Sequence, residues 1–141
     1  MKAIFLGLLT VLLLAAAPLS AQTNQIIQEL KANAEKGNAK AQYNLGICYH
    51  EGQGVAKDYV QAVNWFRKAA EQGFADAQFA LGSEYRKGEG VSKNIAETVK
   101  WFRKAAEQNS AEAQFNLGGC YVMGEGVKKP LPFHAYPMPW I

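Results

Sequence analysis

Residues 65–73 read WFRKAAEQG, and residues 101–109 read WFRKAAEQN. The second stretch begins 36 residues after the first and differs from it only in the last position, where Asn109 replaces Gly73. A shared catalytic motif does not require nine matching residues, whereas a repeated structural unit produces such copies at a fixed spacing. The pair therefore predicts a repeat protein.

The same period appears in a second set of segments that align without a gap. AKAQYNLGICYHEGQGV begins at Ala39, ADAQFALGSEYRKGEGV at Ala75, and AEAQFNLGGCYVMGEGV at Ala111. Self-similarity at a period of this size indicates a solenoid of stacked units. We predict an N-terminal half repeat with a capping helix over 22–37, repeat one over 38–73, repeat two over 74–109, and a truncated repeat three over 110–127.

Each unit is predicted to form two helices. Ala41, Leu45 and Tyr49 follow helical spacing along one face of the first helix. Gly46 sits inside that helix at a cost of ~1 kcal/mol relative to Ala, and its copies indicate that a neighbouring helix approaches closely. The positions expected to hold the repeats together are Leu45, Gly46, Tyr49, Gly52, Gly54, Trp65, Leu81, Gly82, Tyr85, Gly88, Gly90, Trp101, Leu117, Gly118 and Tyr121.

The second helix of each unit has recognisable start and stop signals. Asp58 with Gln61, and Asn94 with Glu97, have the spacing of a capping box at a helix start. The closing residue of the repeated nonapeptide is Gly in one copy and Asn in the other, the two residues that best tolerate the left-handed conformation after a helix. The nonapeptide is therefore predicted to be a packing ridge followed by its stop signal.

The first 21 residues differ in character from the repeats. Lys2 precedes an apolar run over 4–17, which is shorter than the ~20 residues that a membrane-spanning helix needs. This layout predicts a secretory signal peptide over 1–21, cleaved after Ala21, and hence a periplasmic or secreted protein. The alternative is an uncleaved N-terminal anchor.

The segment 128–141, KKPLPFHAYPMPWI, interrupts the third repeat. It holds four of the five prolines and cannot continue a regular helix. Three interpretations remain open: an irregular cap over the open end, a proline-rich ligand for another protein, or the product of a truncated or frame-shifted coding sequence.

Charge and potential ligands exclude several classes of function. The 15 basic and 12 acidic residues are interspersed, without the basic stripe that nucleic-acid binding favours. The Gly-x-Gly turns lack the strand and the Gly-Lys-Ser/Thr of a phosphate loop. Cys48 and His50 point in different directions on a helix, and His134 is far along the chain, so we expect no metal site, catalytic site or cofactor.

The two cysteines, Cys48 and Cys120, occupy the same position in separate repeats. If repeats advance by ~10 Å each, the sulfurs lie beyond disulfide reach. They are either small, partly buried side chains or the site of an intermolecular disulfide or redox-sensitive contact.

The stretch 41–73 resembles a Sel-one-like repeat, a relative of the tetratricopeptide repeat. The matching positions are Ala41, Leu45, Gly46, Tyr49, Gly52, Gly54, Val55, Asp58, Ala62, Trp65, Lys68, Ala69 and Ala70. The resemblance spans roughly residues 26–127 and implies an all-α, right-handed solenoid of antiparallel helix pairs that serves as a protein-interaction scaffold, with exported bacterial members in envelope processes, signalling and host contact. Some cysteine-rich relatives carry a disulfide within each repeat, but this sequence lacks that paired spacing.

We therefore expect a non-enzymatic scaffold that binds a protein or peptide on the concave face of the first helices. The expected contact residues are Tyr43, Asn44, Ile47, Glu51, Phe79, Ala80, Ser83, Lys87, Phe115, Asn116, Gly119 and Met123. The aromatic members, Tyr43, Phe79 and Phe115, either contact the ligand or pack between helices. The alternatives are a self-assembling structural protein, associating through the tail or the free cysteines, and an envelope hydrolase.

Overall fold

The computed structural model describes residues 18–126, which form six α-helices and no strand. The helices are α1 (Leu19–Glu35), α2 (Ala39–Glu51), α3 (Tyr59–Glu71), α4 (Ala75–Lys87), α5 (Ile95–Glu107) and α6 (Ala111–Met123). The expected all-α fold is confirmed.

The helices stack in chain order. Each helix packs chiefly against the helix before it and the helix after it, and the helix pairs α2–α3 and α4–α5 repeat with the 36-residue period. α2, α4 and α6 are the first helices of successive repeats, and α1, α3 and α5 form the opposite layer. This arrangement is that of an α-solenoid.

The starts of α3 and α5 use the predicted cap residues. Asp58 Oδ1 accepts a hydrogen bond from the Gln61 amide at 3.0 Å, and Asn94 Oδ1 accepts one from the Glu97 amide at 3.1 Å. The other hydrogen bond of the predicted capping box, from the amide of the cap residue to the side chain three residues later, is wrong. The Asp58 amide donates instead to the Tyr49 carbonyl at 2.9 Å, and the Asn94 amide makes the equivalent hydrogen bond one repeat later. Each cap residue is therefore hydrogen-bonded to the preceding helix.

The last residue of the nonapeptide terminates α3 and α5 as predicted. Gly73 has φ +89° and Asn109 has φ +65°, both in the left-handed region. Their amides donate to the carbonyls of Ala70 and Ala106, each at 3.0 Å, which satisfies carbonyls at the helix end. The single difference between the copies thus exchanges one tolerated residue for another.

The glycines inside the first helices differ between repeats. A Cβ built on Gly46 lies 2.5 Å from the Phe66 ring, and one built on Gly82 lies 2.7 Å from the Phe102 ring. The predicted close approach is confirmed at these two positions. At Gly118 no described atom lies within 4 Å of a built Cβ, and the segment that follows α6 lies outside residues 18–126, so the close approach stays a prediction there.

The core follows the repeated nonapeptide. Phe66 and Phe102 are 3% and 1% exposed, and three of the four alanines that follow them are almost fully buried. Trp101 is also buried, and its indole N–H donates to Glu97 at 3.0 Å, whereas Trp65 is half-buried with the Lys68 ammonium 4.1 Å from its ring centre. The nonapeptide therefore acts as the packing ridge predicted for it.

Both termini of the sequence lie outside the described residues. The predicted cleavage position after Ala21 falls in the first turn of α1, and the predicted tail over 128–141 is not described. Over 18–126, none of the helices combines the length and the apolar character that crossing a membrane requires.

Candidate functional site

A groove of about 190 Å³ lies between α2 and α4. We call it the first-helix groove. It is lined by Tyr43, Ile47, His50, Glu51, Phe66, Phe79, Ala80, Ser83, Glu84 and Lys87. Seven of the twelve predicted contact residues are among them, and they come from two different repeats.

Aromatic side chains form the apolar walls of the groove. The Tyr43 ring centre lies 5.8 Å from that of Phe66 and 5.4 Å from that of Phe74, and Phe79 stacks on Phe102 at 5.3 Å. Tyr43 and Phe79 thus pack between helices and also line the groove, so the two interpretations of these residues are compatible. This packing holds the rings against the neighbouring helices and fixes the shape of the apolar walls.

Two of the polar side chains that line the groove lie at its rim. Glu51 and Lys87 are exposed and place opposite charges on α2 and α4. The Ser83 hydroxyl donates to the Phe79 carbonyl at 3.0 Å. Burial, and secondarily the charge of Asp76, raise the pKa of Tyr43.

The predicted residues of the third repeat form a separate surface. Phe115, Asn116, Gly119 and Met123 line a concavity of about 560 Å³ on α6, together with Arg86, Gln114, Gly118 and Val122. We call this the end surface. Phe115 and Val122 are 84% and 85% exposed. The twelve predicted residues therefore divide between the two surfaces, except Asn44, which is exposed on α2 and does not line the first-helix groove.

Hydrogen bonds of two buried glutamines, Gln42 and Gln78, join neighbouring helices and were not predicted. The Gln42 side chain donates to the Ala34 carbonyl at 3.0 Å and accepts from Gln72 at 2.7 Å. Gln78 and Gln108 repeat this arrangement 36 residues later. The signal was present in the sequence, because Gln occupies the same position in all three repeats.

A histidine and two glutamates meet at one edge of the groove, which was also not predicted. His50 Nε2 lies 3.4 Å from Glu84 Oε1 and 3.8 Å from Glu89 Oε2. Burial raises the pKa of Glu84, against the opposing effect of His50. In the sequence, His50 was paired only with Cys48. That comparison did not reveal this cluster, because the contact joins the end of α2 to residues of the next repeat.

The two cysteines are free thiols within the described residues. Cys120 is only 1% exposed and Cys48 is half-buried, and burial raises the pKa of both thiols. The burial of Cys120 argues against an intermolecular disulfide formed through it.

Comparison with known proteins identifies the repeat. The Sel1 repeat family model matches residues 39–74, 75–110 and 111–131. The chain is 44% identical over 69 residues to the secretory immunoglobulin A-binding protein EsiB of Escherichia coli, a match that covers 49% of this chain and 14% of that protein.

Two solved structures share the fold. The Sel1 repeat protein from Oxalobacter formigenes has a TM-score of 0.73 and 47% identity, over 77% of this chain and 45% of that one. A protective antigen of uropathogenic Escherichia coli with an SLR fold has a TM-score of 0.71 and 47% identity, over 74% of this chain and 22% of that one. The chain spans less than half the length of each of these three proteins.

Proposed function

The chain belongs to the Sel1 repeat family, whose members are in general protein-interaction scaffolds, and we propose that it is a non-enzymatic scaffold that binds a protein or peptide in the first-helix groove. We further propose that it does so in the periplasm or outside the cell. The signal-peptide pattern over 1–21 supports export. A relative named for binding secretory immunoglobulin A is in keeping with a protein ligand outside the cytoplasm.

The observation that carries the proposal is the shared lining of the groove by α2 and α4. Tyr43 and Ile47 from one repeat face Phe79 and Ala80 from the next, so the apolar surface exists only where the repeats stack. A concave, mostly apolar site with a few polar groups at its edge is typical of ligand recognition. The charges of Glu51 and Lys87 would set the orientation of a peptide whose apolar side chains enter the groove.

Site-specific photo-crosslinking tests this proposal. A benzophenone amino acid replaces Ser83 in the groove or, as a matched control, Val60, which is 55% exposed on α3. With an envelope extract from the producing organism, we expect a partner captured from position 83 and not from position 60. Equal capture from both positions, or none from protein that circular dichroism shows to be helical, would refute the proposed groove.

The end surface supports a second candidate function, self-assembly. Phe115, Val122 and Met123 expose large apolar side chains on α6, and contiguous exposed apolar surface marks interaction sites. If the chain assembles through this surface, sedimentation velocity will detect an oligomer that Val122→Glu abolishes and Val60→Glu does not. A monomer at all concentrations would exclude this candidate.

A further inference from the structure

The cluster of His50, Glu84 and Glu89 brings three potential metal-ligand atoms together. One such atom from each residue lies within 4.8 Å of the other two, and the distances from His50 Nε2 are 3.4 and 3.8 Å. In a tetrahedral zinc site with metal–ligand bonds of about 2.0–2.2 Å, the ligand atoms are about 3.4 Å apart. Small side-chain movements would therefore close these three atoms around one ion.

The buried atoms of this cluster lack partners. The Glu84 side chain is only 4% exposed, and neither its Oε2 nor His50 Nε2 has a hydrogen-bond partner among residues 18–126. The 3.4 Å contact between His50 and Glu84 does not have hydrogen-bond geometry. Buried polar atoms without partners are rare because desolvation is costly, and coordination of a cation would satisfy both atoms.

The charges also fit a divalent cation. Two carboxylates and a neutral imidazole carry a total charge of −2, which one such ion balances. Lys87 Nζ lies 3.4 Å from Glu89 Oε2, but the lysine side chain is 52% exposed and can turn towards solvent. The Tyr59 ring packs edge-on against His50 at 5.1 Å and limits rotation of the imidazole.

The next repeat junction provides an internal comparison. The residues that correspond to His50, Glu84 and Glu89 one repeat later are Arg86, Cys120 and Glu125. Arg86 donates to Asn116 at 3.2 Å and cannot ligate a metal because it is always protonated. The ligand set therefore belongs to the junction between repeats one and two and does not follow from the repeat pattern.

We propose that His50, Glu84 and Glu89 bind one divalent transition-metal ion, with zinc the best match. Imidazole with carboxylates suits zinc, whereas calcium and magnesium prefer oxygen ligands alone. His50 and Glu84 line the first-helix groove, so the ion would lie in its wall. This site does not depend on the proposed function, because it requires no partner protein.

Isothermal titration of tag-free protein with zinc chloride tests the site. We expect one equivalent to bind, and His50→Arg to weaken that binding by about 100-fold or more, since removal of even an outer partner of a metal ligand costs 10–100-fold. His50→Arg copies the residue that the next junction holds as Arg86, so the fold is expected to accept it. Glu125→Gln, at the position equivalent to Glu89, is the matched control and should bind as the wild type does.

Three further variants test a second proposed ligand and two other potential zinc ligands. Glu89→Gln should also weaken zinc binding, and because Glu89 is partly exposed in a turn, this variant does not endanger folding. Cys48→Ser and His134→Gln should leave zinc binding unchanged. No binding by the wild type, equal binding by His50→Arg, or loss of binding in Cys48→Ser or His134→Gln would overturn the proposal.

Discussion

The helices α4 and α6 share seven of thirteen residues at equivalent positions, including the Leu-Gly pair, but lie in different surroundings. On α4, Leu81 is fully buried and Phe102 of the following helix covers Gly82. On α6, Leu117 is only partly buried and Gly118 has free space beside it within the described structure. Whether a repeat position belongs to the core is therefore decided by the next helix as much as by the residue itself.

The largest expected difference is at the buried leucines. Leu81→Ala should lower the free energy of unfolding by about 2–5 kcal/mol, because it leaves a cavity in the core. Leu117→Ala should cost about 1 kcal/mol, since the side chain is already partly exposed. Urea denaturation followed by circular dichroism measures both, and equal losses would contradict the difference in environment.

The next largest difference in stability is expected between alanine variants of Phe79 and Phe115, which occupy equivalent positions on α4 and α6. Phe79 stacks on Phe102, so Phe79→Ala is expected to cost about 2 kcal/mol. Phe115→Ala should change stability by less than about 0.5 kcal/mol, because the ring is 84% exposed. If thermal melts show the two variants to be equally destabilised, then Phe115 is packed and the end surface is not open.

Replacing the two helix glycines by alanine should change the stability of the protein in opposite directions. Gly82→Ala places a Cβ 2.7 Å from the Phe102 ring, and overpacking should outweigh the gain in helix propensity, for a net loss of about 1 kcal/mol. Gly118→Ala meets no described atom and should stabilise the protein by about 0.5–1 kcal/mol. Denaturant midpoints that shift in the same direction would show that a helix covers Gly118 as well.

The smallest effect is expected where the two nonapeptides differ. Asn109→Gly should stabilise the protein, and Gly73→Asn destabilise it, by no more than about 0.5 kcal/mol each, because both residues accept the left-handed conformation. Comparison of melting temperatures with the wild type checks this. A loss above about 1 kcal/mol in either variant would mean that the side chain, and not only the backbone, matters at this position.

Much of the fold was predictable because it depends on local chemistry or on the repeat period. The N-caps at Asp58 and Asn94, the helix ends at Gly73 and Asn109, and the close packing at Gly46 follow from residue type and spacing. The second hydrogen bond of the capping box was wrongly predicted, because each cap amide donates to a carbonyl of the preceding helix, a contact that residue spacing does not reveal.

The candidate sites were less predictable because they depend on contacts between repeats. Periodicity placed Tyr43 and Phe79 at equivalent positions, but it does not reveal that they line one groove while Phe115 lies on a separate, exposed surface. The same limit hid the meeting of His50 with Glu84, since neither residue is repeated at the equivalent positions of the neighbouring repeats.

The most direct test of the proposed groove is the affinity of the crosslinked partner for two arginine variants. Ser83→Arg would fill the first-helix groove, whereas Val60→Arg adds the same side chain to the exposed side of α3. We expect Ser83→Arg to weaken binding by about tenfold or more, measured by calorimetry, with Val60→Arg and the wild type equal. Wild-type affinity in a correctly folded Ser83→Arg variant would contradict binding in the groove.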